Sequence, residues 1–198
     1  MALEIERRFL IKNDNWKEYI TKKIYIEQGY LSKSLDDWII RIRFTGNDFK
    51  IAFKKHIKGF TNFEFEYSIP RSDAETIMSH LSNNIKKDRY FLEIEKKLWI
   101  IDCFKENNYP LEIAEIELSN EKEDLSLPSF ISKEITGLTH YSNFSLSNNP
   151  FSEWKEDYLP TFKVTSQRSH SSFIFFLYLS NLTFIFFRCM VFTIEKGY

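Results

Sequence analysis

The residues of this chain that could do chemistry are charged side chains set two apart on alternating segments. Glu4 and Glu6 stand opposite Leu3, Ile5 and Phe9, with Arg8 next on their side. Arg41 and Arg43 oppose Ile40, Ile42 and Phe44, Glu64 and Glu66 oppose Phe63, Phe65 and Tyr67, and Glu115 and Glu117 oppose Ala114, Ile116 and Leu118. Lys54 and Arg89 stand singly on further segments. On a strand, two such carboxylates lie about 7 Å apart, so they repel and raise each other's pKa unless counter-charge is supplied. Hard divalent cations with oxygen ligands are the natural compensation. Arginine forks and a lysine ammonium suit phosphate oxygens. A cavity lined with both signs would therefore hold a metal–polyphosphate complex. One E-x-E pair alone is an ordinary solvated edge, as Glu93 and Glu95 read here; strand-by-strand sorting by sign is not ordinary.

The elements that must position these groups are mostly strands. Period-two alternation runs through 3–11, 23–31, 37–44, 49–55, 62–69, 88–95, 97–104 and 111–118. The connections are too short for parallel crossovers, so the strands predict an antiparallel sheet, and eight suffice to close a barrel. Ser72-Asp73-Ala74-Glu75 predicts a helix to about Asn83 with a Ser/Asp cap. Pro128 through Gly137 predicts a short second helix ended by glycine, and Asn13-Asp14-Asn15 predicts the start of a third. Before residue 160 the only glycines are Gly29, Gly46, Gly59 and Gly137, so no glycine-rich phosphate loop can be written. Any phosphate must be held by side chains.

The 198 residues carry 27 Lys+Arg against 28 Asp+Glu. That near-balance argues against a protein that coats polyanions through excess positive charge, and nucleic acid is not expected as a partner. It is the sum of two unlike segments. Residues 1–160 hold 23 basic and 27 acidic residues, whereas 161–198 hold four and one, with eight of the twenty phenylalanines. Cys103 and Cys189 supply neither a disulfide framework nor zinc-ligand spacing, and Cys103 reads as an inert buried thiol. His56, His80, His140 and His170 are scattered and form no ligand set.

The opening Glu4-Ile5-Glu6-Arg7-Arg8-Phe9-Leu10 resembles the E-x-E-x-K signature of the CYTH proteins, the triphosphate tunnel metalloenzymes. In order after it, Gln28-Gly29-Tyr30-Leu31, Arg41-Ile42-Arg43, Lys54, Phe63-Glu64-Phe65-Glu66-Tyr67, Lys87-Asp88-Arg89-Tyr90, Trp99 through Phe104, Ala114-Glu115-Ile116-Glu117-Leu118, Glu134-Ile135-Thr136 and Tyr141-Ser142-Asn143 resemble its later elements. The resemblance covers about residues 2–151. It implies a mainly β, α+β fold: a closed eight-stranded antiparallel β-barrel forming a tunnel, with helices packed outside. It also implies a small-molecule triphosphate substrate, with inorganic tripolyphosphate foremost, hydrolysed with Mg²⁺ or Mn²⁺.

Carried over residue by residue, the resemblance implies Tyr30 and Lys87 as a catalytic dyad, the lysine lowering the phenol's pKa. It implies Arg8, Arg41, Arg43, Lys54 and Arg89 on the phosphates. Glu4, Glu6, Glu115 and Glu117 are implied as metal anchors, with Glu64, Glu66 and Asp102 as second-site or water-orienting groups. Class IV adenylyl cyclase and thiamine-triphosphatase chemistry share the tunnel, and a non-catalytic polyphosphate- or nucleotide-binding module is the remaining alternative. Two departures stand out. Arg8 takes the place of the signature lysine, a wide fixed fork for a flexible ammonium, and Asn62 stands where relatives often carry arginine.

The division expected is a tunnel domain over 1–158 and an atypical apolar tail over 159–198. Residues 173–187 carry no charge, but fifteen residues fall short of the ~20 of a membrane helix, and Arg188 would be costly in lipid. A weak tail anchor, an element docked on the barrel and a segment never selected as protein are all open, the last favoured by the break in composition. The start MALEIERRFLIK shows no secretory signal. A cytoplasmic protein with little membrane involvement is expected, with room for a homodimer.

Overall fold

The computed structural model describes residues 3–155; the expected boundary after residue 158 and the apolar tail lie outside the described residues. Nine strands follow in order: β1 (Leu3–Ile11), β2 (Ile20–Tyr30), β3 (Ile39–Thr45), β4 (Asp48–Lys58), β5 (Thr61–Ser68), β6 (Asn84–Ile94), β7 (Lys97–Phe104), β8 (Glu112–Glu117) and β9 (Ile131–Glu134). All pairings are antiparallel, in the order β5-β4-β3-β2-β6-β7-β8-β1-β9, and β5 also pairs with β1. That last pairing closes eight strands into the expected barrel and leaves β9 as an addition.

β9 replaces the helix predicted over 128–137. β5 pairs with β1 only at Leu3, Glu4 and Ile5, so the same edge of β1 is open further along. There β9 docks, with Phe9 opposite Glu134 and Ile11 opposite Ile131. Backbone bonds from Lys12 to the Phe130 carbonyl and from Ile135 to the Arg8 carbonyl extend the contact. An open strand edge with buried Ile131 beside it outweighs the helix-ending signal of Gly137. The helix predicted from residue 72 also differs. α1 spans Arg71–Ser79, its cap residue is Pro70, and no side chain caps it. The third prediction holds as a 3₁₀ turn, Asp14–Tyr19, with the Asn13 side chain accepting from the Asn15 N–H.

Three buried clusters hold the barrel, and their placement defines the tunnel. On the outer wall, Phe9, Leu92, Trp99, Ile101 and Ile116 pack under Trp16 of the 3₁₀ turn and under Phe130. Elsewhere outside, Ile42 and Phe49 pack under Ala74 of α1. The third cluster lies on the inward face. Leu10, Ile85, Phe104 and Ile113 share strand faces with Arg8, Lys87, Asp102 and Glu115, and they meet Ile135, Tyr141, Phe151 and Leu146 of α2 (Asn143–Asn148). The interior is thus charged along most of its length and apolar at one end, where the chain after β9 fills it. α1 packs outside as expected; α2 closes the tunnel instead. Cys103, half-buried, donates to Glu112, and burial pushes its thiol well up, the inert state expected.

Candidate active site: two opposed charge clusters

Register decides which side chains meet. Lys54 on β4 lies opposite Glu64 on β5, and Glu4 on β1 lies one strand further, opposite Asn62. The Lys54 ammonium therefore stands among three carboxylates: in contact with Glu4, 3.6 Å from Glu6 and 3.8 Å from Glu64. Arg41 adds a bond of 2.8 Å to Glu64 and a longer contact of 3.4 Å to Glu66, whose other oxygen takes Lys50 at 2.7 Å. Arg8 also lies 3.9 Å from Glu6, and burial makes the proton affinities of these carboxyls diverge. Burial and the neighbouring Glu6 push the Glu4 carboxyl up to about 8, despite Lys54. Burial alone would raise Glu64 too, but a hydrogen bond from Glu4 and the charges of Arg41 and Lys54 hold it well below the carboxylate range.

The opposite wall inverts the pattern. Arg89 on β6 lies opposite Asp102 on β7. Its Nε and Nη2 donate to the two oxygens of Asp102 at 2.7 Å each, and Nη2 also reaches Glu115 at 2.9 Å. Lys87 donates to Asp102 Oδ2 at 2.5 Å and to Asn143 Oδ1 at 2.9 Å. Lys87 and Asp102 are both 0% exposed. Here one carboxylate is surrounded by cations. Burial raises Asp102, but Arg89 and Lys87 override it and hold the carboxyl far below its usual range. Lys87 itself is pushed down to about 8, because burial and Arg89 outweigh the attraction of Asp102.

A cavity of about 430 Å³ opens beside these groups, lined among others by Glu6, Arg8, Tyr30, Arg41, Lys54 and Asn143. Ala52, opposite Arg41 in the register, keeps the wall low there. Arg8 Nη1 donates to the Tyr141 carbonyl at 3.2 Å, tying the mouth of the cavity to the segment that closes its end. Asn62 also lines the cavity.

The expected dyad is not what the geometry presents. Tyr30 Oη accepts from Gln28 Nε2 at 2.5 Å, while Lys87 is bonded to Asp102 and Asn143. Burial pushes the Tyr30 phenol up to about 12, against the pull of Arg41 and Arg43. The sequence reading expected the opposite direction, with Lys87 as its cause. Glu6, Glu64, Arg41 and Lys54 lie in one cluster and Arg89 and Glu115 in the other, whereas Glu117 is exposed at the end of β8, opposite Glu6. Two neutral amides were missed. Gln28, fully buried, accepts from Arg43 Nε at 3.1 Å and donates to Tyr30, and Asn143 holds Lys87. Both stand in stretches that carry the family resemblance, Gln28-Gly29-Tyr30-Leu31 and Tyr141-Ser142-Asn143, but neither was given a role; Gln28 shares a strand face with Tyr30, so alternation could have supplied one.

The acid-rich cluster fits a hard divalent cation. Among the described residues no three acidic, His or Cys side chains enclose a metal ion by themselves. Three carboxylates nevertheless converge on one ammonium, where a cation of higher charge would be accommodated, and burial together with Glu6 raises the proton affinity of Glu4.

An eight-stranded barrel with an acid-rich and a base-rich cluster on different strands of its inward face, and a cavity lined by Glu6, Arg8, Arg41 and Lys54, is a tunnel protein suited to a polyanion. An inorganic triphosphatase of Acetivibrio thermocellus is 34% identical over 158 residues, covering 79% of this chain and 100% of that protein. The crystal structure of the inorganic triphosphatase NE1496 matches with a TM-score of 0.56 and 25% identity, over 74% of this chain and 95% of that one. No protein-family model matches the chain. The chain belongs to the inorganic triphosphatase family, the CYTH-type tunnel proteins.

Proposed function

We propose that the protein hydrolyses inorganic tripolyphosphate inside the tunnel, with a divalent cation, Mg²⁺ or Mn²⁺, held by Glu4, Glu6 and Glu64. One observation carries the reading. Arg43 is half-buried, makes no ion pair among the described residues, and is pushed down to about 10 by desolvation and by Arg41 and Arg89. Crowded guanidinium groups of this kind are relieved by a polyanion between them. Arg8, Arg41, Arg43 and Arg89 hold the phosphate chain and meet the charge that develops on transfer, and Lys54 bridges the phosphates and the acid cluster. The bound cation supplies charge neutralisation and a lowered pKa for the attacking water. Asp102, with both oxygens engaged by cations, positions Arg89 and Lys87; Glu115 seats Arg89 from the other side. Glu66 and Glu117, at the rim, contribute to the field around the mouth.

Water attacks the terminal phosphorus in line. Phosphoryl transfer asks for positioning and electrostatics more than for a strong base. Tyr30, which keeps its proton, therefore serves as a donor to a phosphate oxygen, and Lys87 supplies buried charge behind it. Carboxylates interleaved with the basic strands favour this small, metal-paired substrate over nucleic acid. The test is phosphate release from tripolyphosphate, ATP and thiamine triphosphate with Mg²⁺, Mn²⁺ or a chelator. The expected result is metal-dependent release, fastest from tripolyphosphate, and cyclic AMP formed from ATP would reject the hydrolase.

A further inference from the structure

The hydrogen bond between Lys87 and Asn143 fixes more than the lysine. An ammonium can only donate, so the Asn143 atom facing Lys87 Nζ at 2.9 Å must be the carbonyl oxygen. The amide cannot flip without setting NH₂ against NH₃⁺. Its Nδ2 is thereby committed to the other side, and Asn143 lines the cavity. Among the described residues no acceptor takes the two Nδ2 hydrogens. Lys87 does not itself border that cavity and is fully buried behind the amide.

The position of Asn143 is set from two directions. Ser142 caps α2 through the Ser145 N–H, and Leu146, 0% exposed, anchors the helix in the apolar end of the barrel. Phe144 stands edge-on to Tyr30, with ring centres 5.4 Å apart. The segment that closes the tunnel thus carries an oriented, uncharged donor to the same cavity as Arg8, Arg41, Lys54 and Tyr30. Its acceptor side is already held by a buried cation, which polarises the amide and strengthens its N–H groups as donors.

We propose that Asn143 is a substrate-positioning residue, its Nδ2 donating to a phosphate oxygen of the bound triphosphate; this rests on the triphosphatase reading above. A group that merely accepted from Lys87 would be a structural prop, and the two roles respond oppositely to one isosteric change. Asn143→Asp keeps an oxygen for Lys87, indeed a better one, but removes both donors and turns a negative charge on the substrate. Asn143→Ala removes both functions without adding repulsion.

The experiment measures tripolyphosphate binding by calorimetry and its hydrolysis by phosphate release, with melting temperature as the control on folding. Loss of one hydrogen bond to a charged group raises Kd and KM about ten- to a hundredfold in Asn143→Ala. Asn143→Asp is expected to be worse still, while melting as high as the parent protein or higher. If Asn143→Asp binds and turns over as well as Asn143→Ala or better, the residue is only a prop for Lys87 and the inference fails. A parent protein that binds tripolyphosphate without releasing phosphate overturns the catalytic reading and leaves the binding comparison to decide this one. A parent protein that does neither overturns both.

Discussion

The two walls of the tunnel use the same residue types in opposite arrangements. On β1, β4 and β5 a lysine is surrounded by carboxylates, with Glu6, Lys54 and their neighbours bordering the cavity. On β6, β7 and β8 a carboxylate is surrounded by cations, and Asp102 and Lys87 are sealed from solvent. The second cluster is internally satisfied and can hold its geometry without a ligand. In the first, burial and the neighbouring Glu6 raise the Glu4 carboxyl despite Lys54. Ion pairs built into a barrel wall thus divide the work: one set holds phosphate-binding cations rigid, the other accepts a cation from outside.

The comparison breaks most visibly at Asp102. Asp102→Ala leaves the buried Lys87 and its neighbour Arg89 without the carboxylate that engages both, and uncompensated buried charge costs about 3–5 kcal/mol. Urea unfolding should show a loss of that order, with activity falling alongside. A stable Asp102→Ala variant would mean that this wall is not held by its ion pairs. Glu4→Gln tests the other wall and should separate the two readouts. Near pH 7 the Glu4 carboxyl is largely protonated, so an amide mimics it. Stability without metal should stay within about 1 kcal/mol, whereas metal-dependent phosphate release should fall about a hundredfold or more, as expected when a metal ligand is lost.

The pH dependence of stability sharpens the same contrast. A carboxyl raised from 4.5 to about 8 binds an extra proton when folded. Its contribution is full below about pH 4.5 and is lost as pH climbs toward 8. With a chelator present, the melting temperature should decline across that window by several degrees. Glu4→Gln should flatten the decline, and divalent metal should offset it by binding the ionised cluster. A profile that rises between pH 5 and 8 in the parent protein and is unchanged in Glu4→Gln would remove the raised Glu4 carboxyl from the account.

Much of this was legible in the sequence because barrels advertise themselves through period two. All eight barrel strands are present, with shifted ends, since alternation is a local signal that closure does not disturb. β9 was read as helix because its reason to be a strand, the open edge of β1 beyond Ile5, is tertiary. The charged groups were legible as faces sorted by sign. That reading ends at Leu10, Ile85, Phe104 and Ile113, where the inward face turns apolar to receive α2. The direction of the Tyr30 shift was not legible either. It depends on how deeply a phenol is buried and on which donor reaches it, and the donor proved to be Gln28, two residues away on its own strand.

Tyr30 supplies the smallest expected effect and the finest test of how the walls divide the work. It lies on β2, between them, directly opposite Arg41. If its phenol served as the base, Tyr30→Phe would remove the proton acceptor and the rate would fall about a hundred- to ten-thousandfold. A phenol pushed up to about 12 holds its proton throughout the working range, so only a hydrogen bond to the substrate is lost. About tenfold is then the expected fall in kcat/KM, with the shape of the pH–rate profile unchanged. The buried amide of Gln28 keeps its place in Tyr30→Phe, because Arg43 still holds its carbonyl oxygen. A loss beyond a hundredfold, together with disappearance of an ionisation from the profile, would restore Tyr30 as the base. It would also require a bound cation to lower the phenol by several pK units, more than Arg41 and Arg43 achieve.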